Sequence, residues 1–335
     1  MKSSSGNAVR LFRLMKSSMS QDRSGLLLVK KLVLALRMRV LPYWWNPQQK
    51  VTSATNATPL NFKSVVFLVH IHYDEQADHA LDFVSALPSD AQVIVTTTSR
   101  TLAETAQAAQ SKGVHKLALV RNRGRNFGPL LDALSELEDW EYLVHLHTKR
   151  SVDAPGAFGK RWNSALWQEL GSPERAMKAV NMLHQNPRVG IVYPDVSHVV
   201  SWLNFNWNEN EVPARKLLES MSLTFPKGPV AFPAGGMFAV KKAAILPLLA
   251  LNLRSSDMPD EPIPVDGTIL HALERLVGVV PTIGGYDHLV MRQGEFYADT
   301  SYIYGPKSAF AAVKFRQRMV QRLVESHGQD FDPRT

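Results

Sequence analysis

One stretch decides how this chain is expected to fold: Glu141-Tyr142-Leu143-Val144-His145-Leu146-His147-Thr148-Lys149-Arg150-Ser151. Its first part, residues 142–146, is short, apolar and aromatic, which predicts a buried strand. The strand leads directly into imidazole, hydroxyl and cationic side chains. Because open α/β sheets bind ligands at the carboxyl ends of their strands, this loop predicts a site for a phosphate-bearing ligand.

Strand and helix patterns alternate on the amino-terminal side of this stretch. Strands are predicted at residues 65–70, 92–97, 116–120 and 142–146, and helical segments separate them. Such alternation requires right-handed crossovers between parallel strands. The sequence therefore predicts an α/β fold of Rossmann type, with a mostly parallel sheet flanked by helices. Further strands are expected at 188–193 and 230–240, and further helices at 160–170, 173–185 and 241–251.

The composition narrows the class of protein. The chain has 335 residues, with 38 Lys and Arg against 30 Asp and Glu, so its formal net charge is +8. Such a charge suits a nucleotide-like substrate, an anionic membrane surface or a nucleic acid. No cysteine is present, which excludes disulfides and thiolate metal sites and favours the cytosol.

The two ends differ from the middle, so three regions are predicted: a basic extension at 1–60, a central α/β domain at 61–305 and a basic helix and tail at 306–335. Residues 25–45 form apolar runs interrupted by Lys and Arg, which falls short of the ~20 apolar residues of a membrane span. This segment is interpreted either as a helix lying in a membrane interface or as a helix packed on the domain. Residues 51–60 are typical of a linker.

A second basic loop follows the third predicted strand. It contains Asn122, Arg123, Gly124 and Arg125, just before a helix expected to begin at Phe127. Guanidinium groups and helix amino termini both favour phosphate oxygens. A single basic residue is more often a solvated surface group, but two basic loops at neighbouring strand ends favour a diphosphate site.

Candidate groups recur downstream. Gly235 and Gly236 interrupt a strand pattern, which lets a ligand approach the backbone or marks a simple bulge. Asp266 is predicted at the start of a helix, as an N-cap or first-turn acid. It and Glu261 are candidate general bases, although capping alone would also explain Asp266. On the helix, Gly267, His271, Glu274 and Arg275 are predicted to share one face. Three aromatic residues, Trp202, Phe205 and Trp207, are interpreted as core or as a sugar-stacking surface.

Four motifs resemble the rhamnan synthesis protein F family of polysaccharide glycosyltransferases. They are the segments at 121–130, 145–151, 232–238 and 266–275, and the resemblance runs from about Val65 to Gly285. It implies a GT-A-like transferase with a nucleotide-sugar at the carboxyl ends of the first four strands. The chain departs from the family pattern at Asn126, where the family tends to carry Asp, and also at Gly236 and Ala239.

Where many such enzymes bind a divalent metal, this chain carries His145, His147 and Lys149. Cations there can neutralise a leaving diphosphate without a metal. Two histidines on one side of a strand can instead ligate a metal, but the sequence offers no third ligand, so we favour the metal-free alternative. A buried core histidine is the remaining alternative.

The sequence thus predicts an inverting transferase that moves L-rhamnose from dTDP-rhamnose onto a lipid-linked or growing glycan, peripherally bound at the inner face of the cytoplasmic membrane. Asp266 is the first candidate for the base and Glu261 the second. The expected substrate-binding residues are Asn122, Arg123, Gly124, Arg125, His145, His147, Thr148, Lys149, Arg150, Gly235, Gly236, His271, Glu274 and Arg275. A non-catalytic binder of nucleic acid or phosphoglycan is the alternative; no nucleic-acid motif accompanies the charge, so no nucleic-acid partner is expected.

Overall fold

The computed structural model describes residues 50–52, 59–106, 114–149, 157–196, 199–200, 204–228 and 230–298. The predictions of an N-terminal helix at 25–45 and a basic helix at 307–323 lie outside these residues, as do Arg150 and Trp202. All described residues belong to one compact unit, Pro47–Thr335.

Nine strands and eight α-helices are present in the described residues. The strands are β1 Lys50–Val51, β2 Val65–Ile71, β3 Gln92–Thr97, β4 Lys116–Leu119, β5 Tyr142–His147, β6 Val189–Pro194, β7 Phe238–Lys241, β8 Asp287–Arg292 and β9 Glu295–Ala298. The helices are α1 Ala77–Ser85, α2 Arg100–Ala106, α3 Phe127–Leu134, α4 Ala157–Leu170, α5 Pro173–Gln185, α6 Glu211–Ser220, α7 Leu246–Ala250 and α8 Ile269–Ile283.

The strands form one mixed sheet in the order β1-β9-β8-β6-β7-β5-β2-β3-β4. Strands β4, β3, β2 and β5 pair in parallel, as their alternation with helices predicted. Strand β7 is antiparallel to both β5 and β6, and β8 is parallel to β6. The α/β class with a mostly parallel sheet is therefore confirmed, and β7 and β9 are the strands that run against the others.

The centre of the sheet explains the continuous apolar runs in the sequence. All seven residues of β2 and all six of β5 are buried. Helices α1 and α3 contact β2, while α5 contacts β5, β6 and β7. A strand covered by helices on both faces has no solvent side, so its pattern is uniformly apolar rather than alternating.

The structure differs from the strand predictions at three places. The segment 230–240 is a strand only at β7, and residues 230–237 form a turn-rich approach to it, because Gly235 and Gly236 both have positive φ. The expected linker at 51–60 begins within β1, which pairs with β9. The β8–β9 hairpin was not predicted, although β8 is almost entirely buried and buried residues alternate along β9.

The start of α8 also differs from the prediction. Thr268 is its N-cap and accepts a hydrogen bond from the His271 backbone N–H, whereas Asp266 precedes the helix. Threonine at this position satisfies a backbone donor that the helix leaves unpaired. The prediction of Asp266 as N-cap was therefore wrong, and Gly267 lies outside the helix.

Two further observations concern apolar surfaces. Phe205 and Trp207 are buried in the core, and the Trp207 indole donates to the Pro226 carbonyl, so these two rings do not form a surface for stacking a sugar. Among the helices of the described residues, none combines the length and the apolar character that crossing a membrane would require.

Candidate functional site

The carboxyl end of β5 lies in the middle of the sheet edge and carries two buried histidines. His145 and His147 point to the same side of the strand, and their ring centroids are 5.7 Å apart. On the neighbouring strand β2, His70 pairs in register with His147. Three imidazoles are therefore packed at one point of the edge where the sequence predicted ligand binding.

Both histidines of β5 hold the turn at Gly235 and Gly236, which we name the glycine hub. His145 Nδ1 donates to the Gly236 carbonyl at 2.8 Å, and His147 Nε2 donates to the Gly235 carbonyl at 2.8 Å. From α8, the Glu274 Oε1 accepts the Gly235 N–H at 3.0 Å. The hub therefore links the end of β5 to α8 through its backbone.

The geometry at Gly236 leaves no room for a side chain. Its φ is +76°, and a Cβ there would lie 2.6 Å from Asn126 Nδ2 and 3.2 Å from His147 Nε2. At Gly235, a Cβ would lie 2.8 Å from Leu166 Cδ1 in α4. Only glycine meets both the left-handed backbone and the close approach. The glycine pair is thus a packing requirement that brings four chain segments together.

Burial keeps these imidazoles neutral. It lowers the pKa of His147 to about 4, with the Lys149 charge acting in the same direction and the Thr148 and Gly235 carbonyls opposing. Burial likewise lowers the pKa of His70 to about 3 and that of His145 well below the ordinary value. At neutral pH these groups are uncharged rings rather than cations, and His145 and His147 donate to the hub carbonyls. The expectation that His147 would itself contribute positive charge to a diphosphate therefore has no support in this geometry.

Thr148 and Lys149 continue the edge toward β2. The Thr148 Oγ1 accepts the backbone N–H of His72 at 2.8 Å and that of Tyr73 at 3.1 Å. The Lys149 backbone forms two hydrogen bonds with the Gln76 side chain. Its ammonium lies 4.3 Å above the Trp162 ring. Thr148 thus fixes the loop after β2, and Lys149 supplies a positioned cation.

The basic loop after β4 faces a carboxylate-bearing segment. Arg123 Nε donates to the Met258 carbonyl at 2.8 Å and lies 3.3 Å from Asp260 Oδ1. Arg125 Nε donates to Glu261 Oε1 at 3.1 Å. The Arg123 and Arg125 side chains are 34% and 43% exposed, so both guanidiniums remain accessible to an anion. Each of the two arginines is already paired with one carboxylate.

A second group of charges surrounds the start of α8. Asp266 Oδ1 accepts from Asn210 Nδ2 at 2.5 Å and lies 3.7 Å from Arg275 Nη2. The buried Arg275 also donates to the Asn206 and His271 carbonyls. Burial lowers the pKa of His271, while Glu274 and Asp266 oppose that effect and Arg125 and Arg275 reinforce it. His271 therefore lies within electrostatic reach of the basic loop and of both acids.

The structure links most of the predicted site residues through hydrogen bonds, ion pairs and electrostatic interactions. The hub joins His145, His147, Gly235, Gly236 and Glu274, and His271 connects Asp266 and Arg275 electrostatically to Arg125 and its partner Glu261. Asn122 is exposed and makes no side-chain hydrogen bond to the other candidates among the described residues.

Several residues at the site were not among the predicted ones. Gln76, Asp260 and Asn210 hold Lys149, Arg123 and Asp266, respectively. Nothing in the sequence around Gln76 or Asn210 indicates these contacts, because the partners are distant along the chain. Asn126 was visible as a departure from the family pattern, and its amide faces the hub, where Nδ2 is buried without a hydrogen-bond partner among the described residues.

Metal ligation was the alternative for His145 and His147. Within the part of the chain that the structure describes, no cluster of three His, Asp or Glu side chains has the geometry to hold a metal ion. Each of the two histidines uses one ring nitrogen in a hydrogen bond to a hub carbonyl, so that nitrogen is not available to a metal.

Comparison with known proteins gives a family match. The family model described as rhamnan synthesis protein F matches residues 8–286. The match begins well before Val65, so the expectation that the first sixty residues lie outside the family was wrong for most of them.

Two curated relatives are uncharacterized proteins named WxcX from Xanthomonas campestris pv. campestris. They are 28% and 27% identical over 252 residues, which is 73% of this chain and 36% of each relative. The chain thus spans about a third of their length.

Two solved structures were also found: a cytidylyltransferase from Leptospira borgpetersenii and a 4-diphosphocytidyl-2C-methyl-D-erythritol synthase from Anaerococcus prevotii. They align with 80% and 78% of this chain and with 99% and 100% of their own, at 10% identity and a TM-score of 0.34. A score this low supports no conclusion about the chain.

Proposed function

Because the chain belongs to the rhamnan synthesis protein F family, we propose that it is a GT-A-like glycosyltransferase of polysaccharide synthesis. It transfers L-rhamnose from dTDP-rhamnose, with inversion, onto a lipid-linked or growing cell-surface glycan. The substrate follows from the family's description, since a rhamnan is a polymer of rhamnose. The enzyme acts at the cytoplasmic face of the membrane, where its formal net charge of +8 favours anionic lipid.

The glycine hub is the observation that carries this proposal. A transferase must place a diphosphate beside an acceptor hydroxyl, and the hub joins the segments suited to both tasks. On one side lie the loop after β4 and the end of β5, with Arg123, Arg125 and Lys149. On the other side, Glu274 ties the hub to α8.

Arginine and lysine would perform the electrostatic part of the reaction. As the bond between sugar and diphosphate breaks, negative charge grows on the leaving oxygen. Preorganised cations at that position stabilise the transition state without reorganisation of solvent. Arg125 suits this role because it is accessible and lies within electrostatic reach of His271 on α8.

Ligand-dependent thermal stability tests the proposal. The full chain is titrated with dTDP, dTDP-rhamnose, UDP-glucose and GDP-mannose, with and without EDTA. A ligand that binds only the folded state raises the melting temperature according to its affinity. We expect selective stabilisation by the dTDP compounds that persists in EDTA.

Two arginine variants make the titration specific to the site. Arg125→Ala should abolish most of the dTDP-dependent shift, whereas Arg215→Ala removes an exposed arginine on α6, paired with Glu211, and should leave it unchanged. A shift produced equally by every nucleotide and by duplex DNA, and lost steeply with salt, would instead support a non-catalytic polyanion binder.

A further inference from the structure

His271 has one imidazole nitrogen, Nε2, that makes no hydrogen bond to the described residues. Its Nδ1 lies 2.8 Å from Thr268 Oγ1, the N-cap of α8. For Nε2, the described residues provide no hydrogen-bond partner, and this atom is not among their fully buried unsatisfied atoms. We assign the proton to Nδ1, which donates it to Thr268 Oγ1, so Nε2 carries the free lone pair.

Each neighbouring carboxylate already has at least one oxygen in a contact within the fold. Glu261 accepts a hydrogen bond from Arg125 Nε at Oε1 and another from the Ile263 backbone N–H at Oε2. The Asp266 Oδ1 is shared between Asn210 and the Arg275 cation. Glu274 gives one oxygen to Gly235. A carboxylate that holds the fold in place is less free to take a proton than an uncommitted imidazole nitrogen is.

We infer that His271, rather than Asp266 or Glu261, is the general base that activates the acceptor. This inference rests on the proposed glycosyltransferase function and assigns a catalytic role to a residue expected only to bind substrate.

The reaction balances around Nε2. The acceptor hydroxyl gives its proton to Nε2 while its oxygen forms a bond to the anomeric carbon of the sugar. The bond from that carbon to the diphosphate oxygen breaks, and its electron pair leaves with dTDP. The resulting imidazolium keeps Nδ1–H on Thr268, and Asp266 and Glu274 stabilise its charge.

The charged side chains near His271 favour a neutral ring before the reaction and limit the cost of protonating it. Arg125 from the loop after β4 and Arg275 from α8 disfavour the imidazolium, as burial does, so the resting ring is neutral. Asp266 and Glu274 limit that effect. Once the diphosphate is bound, its negative charge offsets Arg125, which favours proton uptake when the acceptor reacts.

Paired variants distinguish the three candidate bases. Release of dTDP from dTDP-rhamnose is measured against pH, with octyl rhamnoside as the acceptor, for the wild type, His271→Gln, Asp266→Asn and Glu261→Gln. His79→Gln, an exposed histidine on α1, is the control that should match the wild type. Binding of dTDP by thermal shift is recorded for every variant.

We expect His271→Gln to lose about 10²–10⁴-fold in kcat while it still binds dTDP, since that range is typical for loss of a general base. Glu261→Gln should keep most of kcat, and Asp266→Asn should lose far less than His271→Gln, because Asp266 stabilises the imidazolium but takes no proton. In Asp266→Asn the acid limb of the pH profile should move to lower pH, because Asp266 raises the pKa of His271.

The contrary results are equally clear. A loss of transfer in Asp266→Asn or Glu261→Gln as large as that expected for His271→Gln, with dTDP binding intact, overturns the inference, and so does full activity in His271→Gln. A ¹⁵N spectrum that shows Nε2 of His271 protonated near pH 7 also overturns it, even if a variant fails to fold. If the wild type neither binds dTDP nor releases it, the proposed function itself fails, and the inference fails with it.

Discussion

At the scale of single residues, the arginines of the basic loop already have anionic partners. Arg123 faces Asp260, and Arg125 faces the adjacent Glu261, within one exposed segment. An exposed ion pair of this kind is weak, on the order of 0.2–1 kcal/mol. A diphosphate brings more charge and more acceptor oxygens than one carboxylate, so it can displace Asp260 and Glu261 at small cost.

This competition predicts a gain of affinity on removing a carboxylate. Glu261→Gln should tighten dTDP binding by about twofold to fivefold, the equivalent of ~0.5–1 kcal/mol released from the ion pair. Isothermal titration calorimetry with dTDP measures the change. Glu295→Gln, which removes the partner of Lys50 on β9, is the matched control and should leave the dissociation constant unchanged. Weaker binding by Glu261→Gln would show that Glu261 does not compete with the ligand.

At the scale of elements, the sequence predicted what depends on local pattern. The strands β2, β3 and β5 and the helix α5 lie close to their predicted bounds, because buried parallel strands are short apolar runs and amphipathic helices repeat every 3.6 residues. The direction of β7 was not predictable in this way. Its pairing with β5 and β6 depends on partners far along the chain.

The candidate site likewise contains residues that the sequence reveals and residues that it does not. The basic loops and the glycine pair stand out by residue type, so Arg125, His147 and Gly235 could be singled out beforehand. Asn210 could not, since its contact with Asp266 spans 56 positions and leaves no local trace. The cap of α8 was misassigned because Asp266 and Thr268 are both good capping residues, and only backbone geometry decides between them.

The cap of α8 provides a prediction at this scale. Thr268→Ala should lower the free energy of unfolding by about 1 kcal/mol, and so should Ser172→Ala, because Ser172 caps α5 in the same manner. Only Thr268→Ala should reduce dTDP release, since it also removes the contact with His271. Urea unfolding and the transfer assay measure the two quantities. Equal activity in the two variants would show that Thr268 is a cap and nothing more.

At the scale of the whole molecule, buried neutral histidines make stability depend on pH. The pKa is about 3 for His70, about 4 for His147 and about 4 for His288, against 6.5 in the ordinary state. Below pH ~6.5 the unfolded chain therefore binds more protons than the folded chain does. Stability must fall as the pH drops toward 4, with up to ~1.4 kcal/mol per pH unit for each such histidine.

Urea unfolding between about pH 7 and about pH 4 tests this prediction. His288→Gln removes one buried imidazole at a distance from the candidate site, so the slope of stability against pH should become shallower by about one proton. His79→Gln removes an exposed imidazole and should leave the slope unchanged. A flat stability profile in the wild type would contradict the pKa values on which the prediction rests.

The antiparallel strand β7 also has a consequence for how the chain reaches its native state. Strands β2 to β5 lie next to one another along the chain and can pair as soon as residue 147 has been synthesised. The edge they form lacks the glycine hub until β7 has entered between β5 and β6, and it lacks Glu274 until α8 has folded. Pairings between distant segments form late and slowly. We therefore expect the half that carries the basic loops to assemble before the half that carries His271, so that the candidate site is completed only near the end of folding.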